Sequence, residues 1–288
     1  MADNLSRTSA PAFALADHAV IDLEGPEAVA FAHAQFANDV VALPVGQWQW
    51  NAWLTPKGRV IALFLLARVA EERVALVLPD YPAAAFATAL QRFVFRRKLK
   101  VTVADGMQVV GRFAPPMHAE GARIGHVDEV VELDVSGEQG PRTLLLTGAP
   151  GIAVDEAMTL AWQHYDLRHG VPRLPEAQRE QWTPQQLSLE RLPAFSVKKG
   201  CYPGQEIVAR THFLGKAKRG LALLECPVAL EAGAMVSDGA RDIGELVCAL
   251  PAPSPVALAV LPLERDAASL SVGGQAVTEQ ALLGGLAR

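Results

Sequence analysis

The chain has too few cysteines, too irregularly spaced, to build anything that cysteines usually build. Its three, Cys201, Cys226 and Cys248, are an odd number with no C-x-x-C pair. That excludes a disulfide framework and a structural zinc site, and three thiolates cannot by themselves hold an iron–sulfur cluster with four. No resident metal is expected. Positive charge is not in excess either: 26 Lys and Arg against 31 Asp and Glu leave a net charge of −5. A chain whose main task is gripping nucleic acid is basic, so direct nucleic-acid binding is not expected. Long hydrophobic runs are missing. The longest, Val60 to Ala67, stops at Arg68, far short of the roughly 20 residues that span a bilayer, and reads as a buried strand. Met1 to Arg7 lacks the apolar stretch of a secretory signal. Internal repeats and low-complexity segments are absent as well. Together these absences describe a cytoplasmic protein of a reducing compartment, with no membrane partner.

Core-forming material is plentiful. Half of the 288 residues are apolar, and the length fits two or three domains. Ala14 to Leu23 alternates as a strand does, and Glu27 to Ala37 has helical spacing. Trp48 to Leu54, Val60 to Ala67 and Val74 to Leu78 read as strands, the first two joined by the turn Thr55-Pro56-Lys57-Gly58. Pro82 starts a helix through Phe95, and Leu99 to Val103 is a further strand. Short strands then run from Val109 to Thr147, a helix from Asp155 to His169, and a polar, irregular surface loop from Pro172 to Thr183. After Arg219 the pattern becomes all-β, with strands at Leu221–Leu224, Ile243–Leu250, Val256–Leu261 and Leu270–Val272, the spacing of a small barrel or sandwich. The division read from this is an α+β core of two interleaved lobes over 1–217 and a β-barrel domain over 218–288.

The most informative stretch is Lys199-Gly200-Cys201-Tyr202-Pro203-Gly204-Gln205-Glu206. A cysteine beside lysines and just ahead of a helical run sits where unpaired N–H groups and the helix dipole favour a thiolate. Pro203 suits the first helical turn, and Gly200 and Gly204 permit tight or left-handed backbone. Lys199 is placed to stabilise the charged sulfur, Tyr202 to shield it, and Gln205 and Glu206 to bond the loop to itself. Cys226 and Cys248 lie in apolar runs and take the ordinary reading of small core hydrophobes.

This octet, with Phe195–Lys198 before it and Ile207–Arg210 after it, resembles the signature of the YgfZ family, folate-binding relatives of the glycine-cleavage T-protein. The likeness extends to Phe36-Ala37-Asn38-Asp39-Val40, to Pro56-Lys57-Gly58-Arg59, to Leu167–Pro172, to Thr183-Pro184-Gln185 and to Gly215–Arg219. It implies a T-protein-like body of three lobes around a central hole, with a ferredoxin-like lobe and a small C-terminal β-barrel. It also implies bound tetrahydrofolate, or a polyglutamylated derivative. On the same ground Trp162 and His18 are candidate folate contacts, together with Tyr202, Gln205 and Glu206. Arg92, Arg96, Arg97, Lys98 and Lys100, and separately Lys216, Lys218 and Arg219, are basic runs suited to a glutamate tail or to the phosphates of a tRNA-linked partner.

Departures from the aminomethyltransferases choose between two activities. Those enzymes carry an Asp pair on the strand after the hairpin, where this chain has Val60-Ile61-Ala62-Leu63. They also have a glutamate before the glycine that corresponds to Gly170, where this chain has Arg168-His169. The resemblance therefore implies an accessory protein for the assembly or repair of iron–sulfur proteins, including cluster enzymes that modify tRNA, with Cys201 as its reactive thiol. Its partners would be assembly proteins or client cluster enzymes. The alternative is a folate-dependent one-carbon transferase.

Overall fold

The computed structural model describes residues 10–149, 151–215, 217–251, 254–265 and 269–288. The readings made on Met1–Arg7 and on Lys216 lie outside them. The chain opens with β1 (Phe13–Ala14), which joins the second lobe, and the first lobe then comprises β2 (His18–Glu24), α1 (Ala28–Gln35), β3 (Gln47–Leu54), β4 (Val60–Ala70), β5 (Arg73–Pro79), α2 (Ala83–Gln91) and β6 (Lys100–Val103). Then follow β7 (Gln108–Arg112), β8 (Gly125–Val127), β9 (Val130–Asp134), β10 (Thr143–Thr147), α3 (Glu156–Arg168) and α4 (Gln205–Phe213). The last six strands are β11 (Arg219–Glu225), β12 (Met235–Ser237), β13 (Asp242–Leu250), β14 (Val256–Pro262), β15 (Leu270–Val272) and β16 (Gln275–Gln280).

Two five-stranded sheets and a closed barrel result, with orders β3-β4-β5-β2-β6, β1-β7-β10-β9-β8 and β11-β14-β13-β12-β15-β16. The continuous apolar run in β4 exists because both of its faces are covered. Ala62, Phe64 and Leu66 face α1 and α2 with Phe31, Phe36 and Phe86. Leu63, Leu65 and Ala67 face a second core shared with Leu133, Leu144, Trp162 and the outside of the barrel at Leu221 and Leu223. β11 divides in the same way, for Ala222 and Leu224 fill the barrel with Val236 and Leu246. The chain is thus an α+β body of three lobes with a ferredoxin-like lobe and a six-stranded barrel, as the resemblance implies. After the barrel the chain returns to the lobes, where the buried Leu286 accepts a hydrogen bond from Trp50 Nε1 at 2.8 Å.

Several elements differ from expectation. Ala14 to Leu23 is not one strand: the chain turns at Asp17, with the His18 amide on the Leu15 carbonyl, and β1 and β2 enter different sheets. The helix after Pro82 stops at Gln91, and residues 92–96 form turns that include Phe95 at φ +48°. Pro172 to Thr183 is no surface loop at its start. Val171, Pro172, Arg173 and Leu174 are buried, because the arginine has acidic partners brought from far along the chain. β12 and β16 are too short and polar to have stood out.

Candidate functional site

Cys201 is exposed on a loop whose two ends are fixed. At the C-terminal end Gly204 caps α4 with φ +81°. A side chain there would place Cβ 2.6 Å from the Thr55 carbonyl oxygen and 2.7 Å from Gly58 Cα. Gly58 answers from the β3–β4 turn, where its own Cβ would lie 2.8 Å from Ile207 Cβ. The cysteine loop and the hairpin turn therefore meet backbone to backbone through two glycines. Because Gly204 adopts the left-handed region, the helix starts after it, and Pro203 stands one residue before the cap instead of in the first turn. Gly200 is not left-handed and a Cβ added there would meet nothing nearer than His33 Nε2 at 4.0 Å, so of the two glycines only Gly204 is required by geometry.

At the other end, Lys199 is buried and its ammonium donates to the carbonyls of His33, Phe36 (2.6 Å) and Asn38 (3.2 Å). His33 and Phe36 stand at the C-terminus of α1, where carbonyls lack intrahelical donors and a cation is favoured, and Asn38 lies two residues beyond the cap. Lys199 thus ties the loop to α1, and its three protons are used there and not on the sulfur. Burial draws its pKa down to about 8, against which Asp39 acts. Tyr202 is likewise turned inward: its hydroxyl donates to the Ser196 carbonyl at 3.0 Å, its ring lies 4.8 Å from the Lys199 ammonium, and burial pushes its pKa up to about 12. Ser196 Oγ accepts from the amides of Lys198 and Lys199, and Gln205 Nε2 donates to the Lys199 carbonyl at 3.0 Å. Glu206 plays no such part, since it faces solvent with Arg210 at 3.6 Å. Asn38 closes the assembly, donating to the carbonyls of Trp50 and Pro193.

Leaving buried carbonyls without a donor costs about 1–3 kcal/mol each. Lys199→Met should therefore lower stability by about 2–4 kcal/mol and speed alkylation of Cys201 by iodoacetamide. Unchanged stability and an unchanged alkylation rate would show that the ammonium does not hold the loop.

A second constellation lies where the lobes and the barrel meet. Arg173 donates to both oxygens of Asp80, to Asp17, and to Asp166 at 3.3 Å. Asp17 also receives His18 Nδ1 at 2.7 Å and Gln163 Nε2 at 2.8 Å. Asp166 binds Arg142 at 2.7 Å, and that guanidinium lies between the rings of Trp162 (4.1 Å) and Tyr165 (4.0 Å). Burial alone would raise the Asp17 carboxyl, but His18, Arg173 and Gln163 outweigh it and hold it well below the usual range. For Arg173 burial is again opposed, and Asp80, Asp166 and Asp17 leave it firmly protonated.

This network fixes the two remaining sequence candidates. Trp162 is 1% exposed, packed on Phe13 and Phe113 with Arg142 over it, so it has no face free for a pterin. His18 is bound to Asp17 at the beginning of β2. The contacts of Trp162 and those of the cysteine loop share no residue, and the seven sequence candidates do not converge on one site. Beside the network is an open cleft of about 580 Å³, lined by Asp80, Gln163, Arg173, Arg179, Ala232 and Leu250. Sequence reasoning missed this site because the partners of Arg173 lie up to 156 residues away. The one local signal was a charged residue directly after the Gly-x-Pro match.

No protein-family profile matches the chain. By sequence it is similar to an uncharacterized protein of Haemophilus influenzae, 26% identical over 76% of this chain and 74% of that one. It is similar as well to proteins named tRNA-modifying protein YgfZ. That of Vibrio vulnificus is 26% identical over 78% of this chain and 73% of its own. That of Serratia proteamaculans is 28% identical over 73% and 69%. Among solved structures, the glycine cleavage system aminomethyltransferase T of Bartonella henselae superposes with a TM-score of 0.72. The superposition covers 97% of this chain and 86% of that one at 17% identity, a likeness of fold.

Proposed function

Because this chain is a relative of the YgfZ proteins by sequence and of aminomethyltransferase T by fold, we propose that it is a tetrahydrofolate-binding accessory protein for iron–sulfur proteins. Its clients in this reading are cluster enzymes, those that modify tRNA among them, and its place is the cytoplasm. The observation that carries the reading is the contrast among its thiols. Cys226 and Cys248 are buried, and burial pushes them up to about 11 and about 12, where they are inert. Cys201 is exposed on a loop anchored by Lys199 and Gly204. A thiol presented in a fixed position is what transient ligation of iron, or exchange with a persulfide, requires.

The cleft beside Arg173 fits a reduced pterin. Its volume is within the range of about 300–1,000 Å³ usual for small-molecule sites. Asp80 and Gln163 give the cleft polar walls, with Gln163 Oε1 left to accept because its Nε2 is taken by Asp17, Leu250 gives an apolar wall, and Arg179 a cation suited to the glutamate tail. A bound reduced folate supplies nitrogens that carry one-carbon units. Aminomethyl transfer is not part of the reading: β4 has no carboxylate, and Asp17 and Asp80 beside the cleft are held by Arg173.

Calorimetric titration with tetrahydrofolate tests the folate half. The wild type and Cys201→Ala should bind alike, and Ala232→Trp, which fills the cleft from an exposed position, should weaken binding at least about tenfold. A wild type that does not bind refutes it. For the thiol half, Cys201→Ala should keep its melting temperature, as exposed substitutions do to within about 0.5 kcal/mol, while tRNA modification by cluster enzymes falls in cells. Undiminished modification would refute that half.

A further inference from the structure

The turn between α2 and β6 contains a side chain that does nothing for the fold. Phe95 is 87% exposed and sits at φ +48°. Exposure forfeits the gain from burying an aromatic ring, and the left-handed region is costly for any residue but glycine. Around it stand Arg92, Arg96, Arg97, Lys98 and Lys100, all exposed. Among the described residues only one of these five cations has a carboxylate within 4.0 Å, Arg97 with Glu27 at 3.9 Å. Arg96 lies over the Phe95 ring, 5.6 Å from its centroid. Among the described residues four cations without a carboxylate at their side-chain nitrogens thus flank a largely exposed aromatic ring in a protein whose net charge is −5, although Glu24 stands across from Lys100 between β2 and β6 and Glu27 accepts from the Lys98 amide.

We infer that this turn docks an unpaired segment of RNA, with a base stacked on Phe95 and neighbouring phosphates on Arg92, Arg96, Lys98 and Lys100. Stacking on an exposed ring between cations is the usual way single-stranded nucleic acid is held. It reverses the expectation drawn from net charge, because charge acts locally: cations clustered on one turn attract phosphates even in a protein of net negative charge. A chain of packed residues also links the turn to the anchor of the cysteine loop. Phe93 packs edge-on against Trp53 at 6.1 Å, Trp53 bridges to Phe36, and the Phe36 carbonyl holds Lys199. The inference stands independently of folate binding, which the calorimetric titration tests separately.

Fluorescence anisotropy of the full chain with a labelled 12-nucleotide unpaired RNA decides it. The wild type should bind, and about four phosphate contacts should make the affinity fall about 50-fold between 50 and 200 mM salt. Phe95→Gly should weaken binding about tenfold while raising the melting temperature, since glycine relieves the left-handed strain. Arg96→Glu with Lys98→Glu should abolish binding, and this pair decides the matter if the glycine variant does not fold. No wild-type binding at 50 mM salt, or binding indifferent to all these changes, overturns the inference. So does equally tight binding of pentaglutamate that ignores Phe95, which would make the patch a folate-tail site. Phe95-dependent sedimentation with phosphatidylserine vesicles in the absence of RNA binding would assign it to a membrane surface instead.

Discussion

Arg173→Leu is expected to destabilise the protein by about 3–5 kcal/mol, the cost of removing one partner from a buried charge network. Asp17, Asp80 and Asp166 would then face one another with only Arg142 and His18 to oppose them. Asp80 is also held in the left-handed region at φ +59°, where the bonds from Arg173 and that from Arg179 to its carbonyl keep it. Arg173→Lys should rescue little, because one ammonium cannot span three carboxylates as a guanidinium does. Acid supplies the second readout. The lowered Asp17 pKa means that its stabilisation is present above the ordinary value of about 4 and is lost as pH falls through the folded value. In the variant protonation relieves repulsion, so the difference in stability from wild type should narrow between pH 7 and pH 4. Denaturant titrations at both pH values measure it. A loss below about 1 kcal/mol at pH 7 would mean that water replaces the guanidinium.

Gly204→Ala should be comparably damaging, for a purely steric reason. The positive φ costs about 1–3 kcal/mol for a residue other than glycine. Contacts of 2.6 and 2.7 Å with the backbone of the hairpin turn add about 1–3 kcal/mol more, since backbone cannot move aside as a flexible side chain can. Either the global stability falls by about 3–5 kcal/mol, or the cysteine loop lifts off the turn. Native-state alkylation of Cys201 separates the two, since only a lifted loop reacts faster while the protein remains folded. Gly200→Ala is the internal control, expected to stay within about 0.5 kcal/mol of wild type because it needs neither positive φ nor close approach. Equal behaviour of the two variants would show that the docking of loop on hairpin is not what fixes Cys201.

Local signals in the sequence led to the elements they encode. The apolar run of β4, the Thr55–Gly58 turn, the helix after Asp155 and four of the six barrel strands lie where periodicity and turn residues place them. The octet likewise marked the one exposed thiol, because Lys, Gly, Pro and Cys are informative at short range. The roles assigned inside the octet were less legible. Lys199 reads as a partner for sulfur until the C-terminus of α1, some 160 residues earlier, is seen to take all its protons.

Trp162 and Phe95 show the limit from opposite sides. One aromatic residue on an amphipathic helix proves to be core under Arg142, and another in a basic run proves to stand free in solvent. Sequence by itself determined most of the strands and helices and the loop that displays Cys201, since each rests on residues near one another in the chain, while the choice of a barrel over a sandwich came from the family resemblance. Tertiary structure alone decided which charges are neutralised and which are free. Coulombic pairing and desolvation depend on distance in space, and Asp17, Asp80, Asp166 and Arg173 become neighbours only when two sheets, a helix and a barrel close around them.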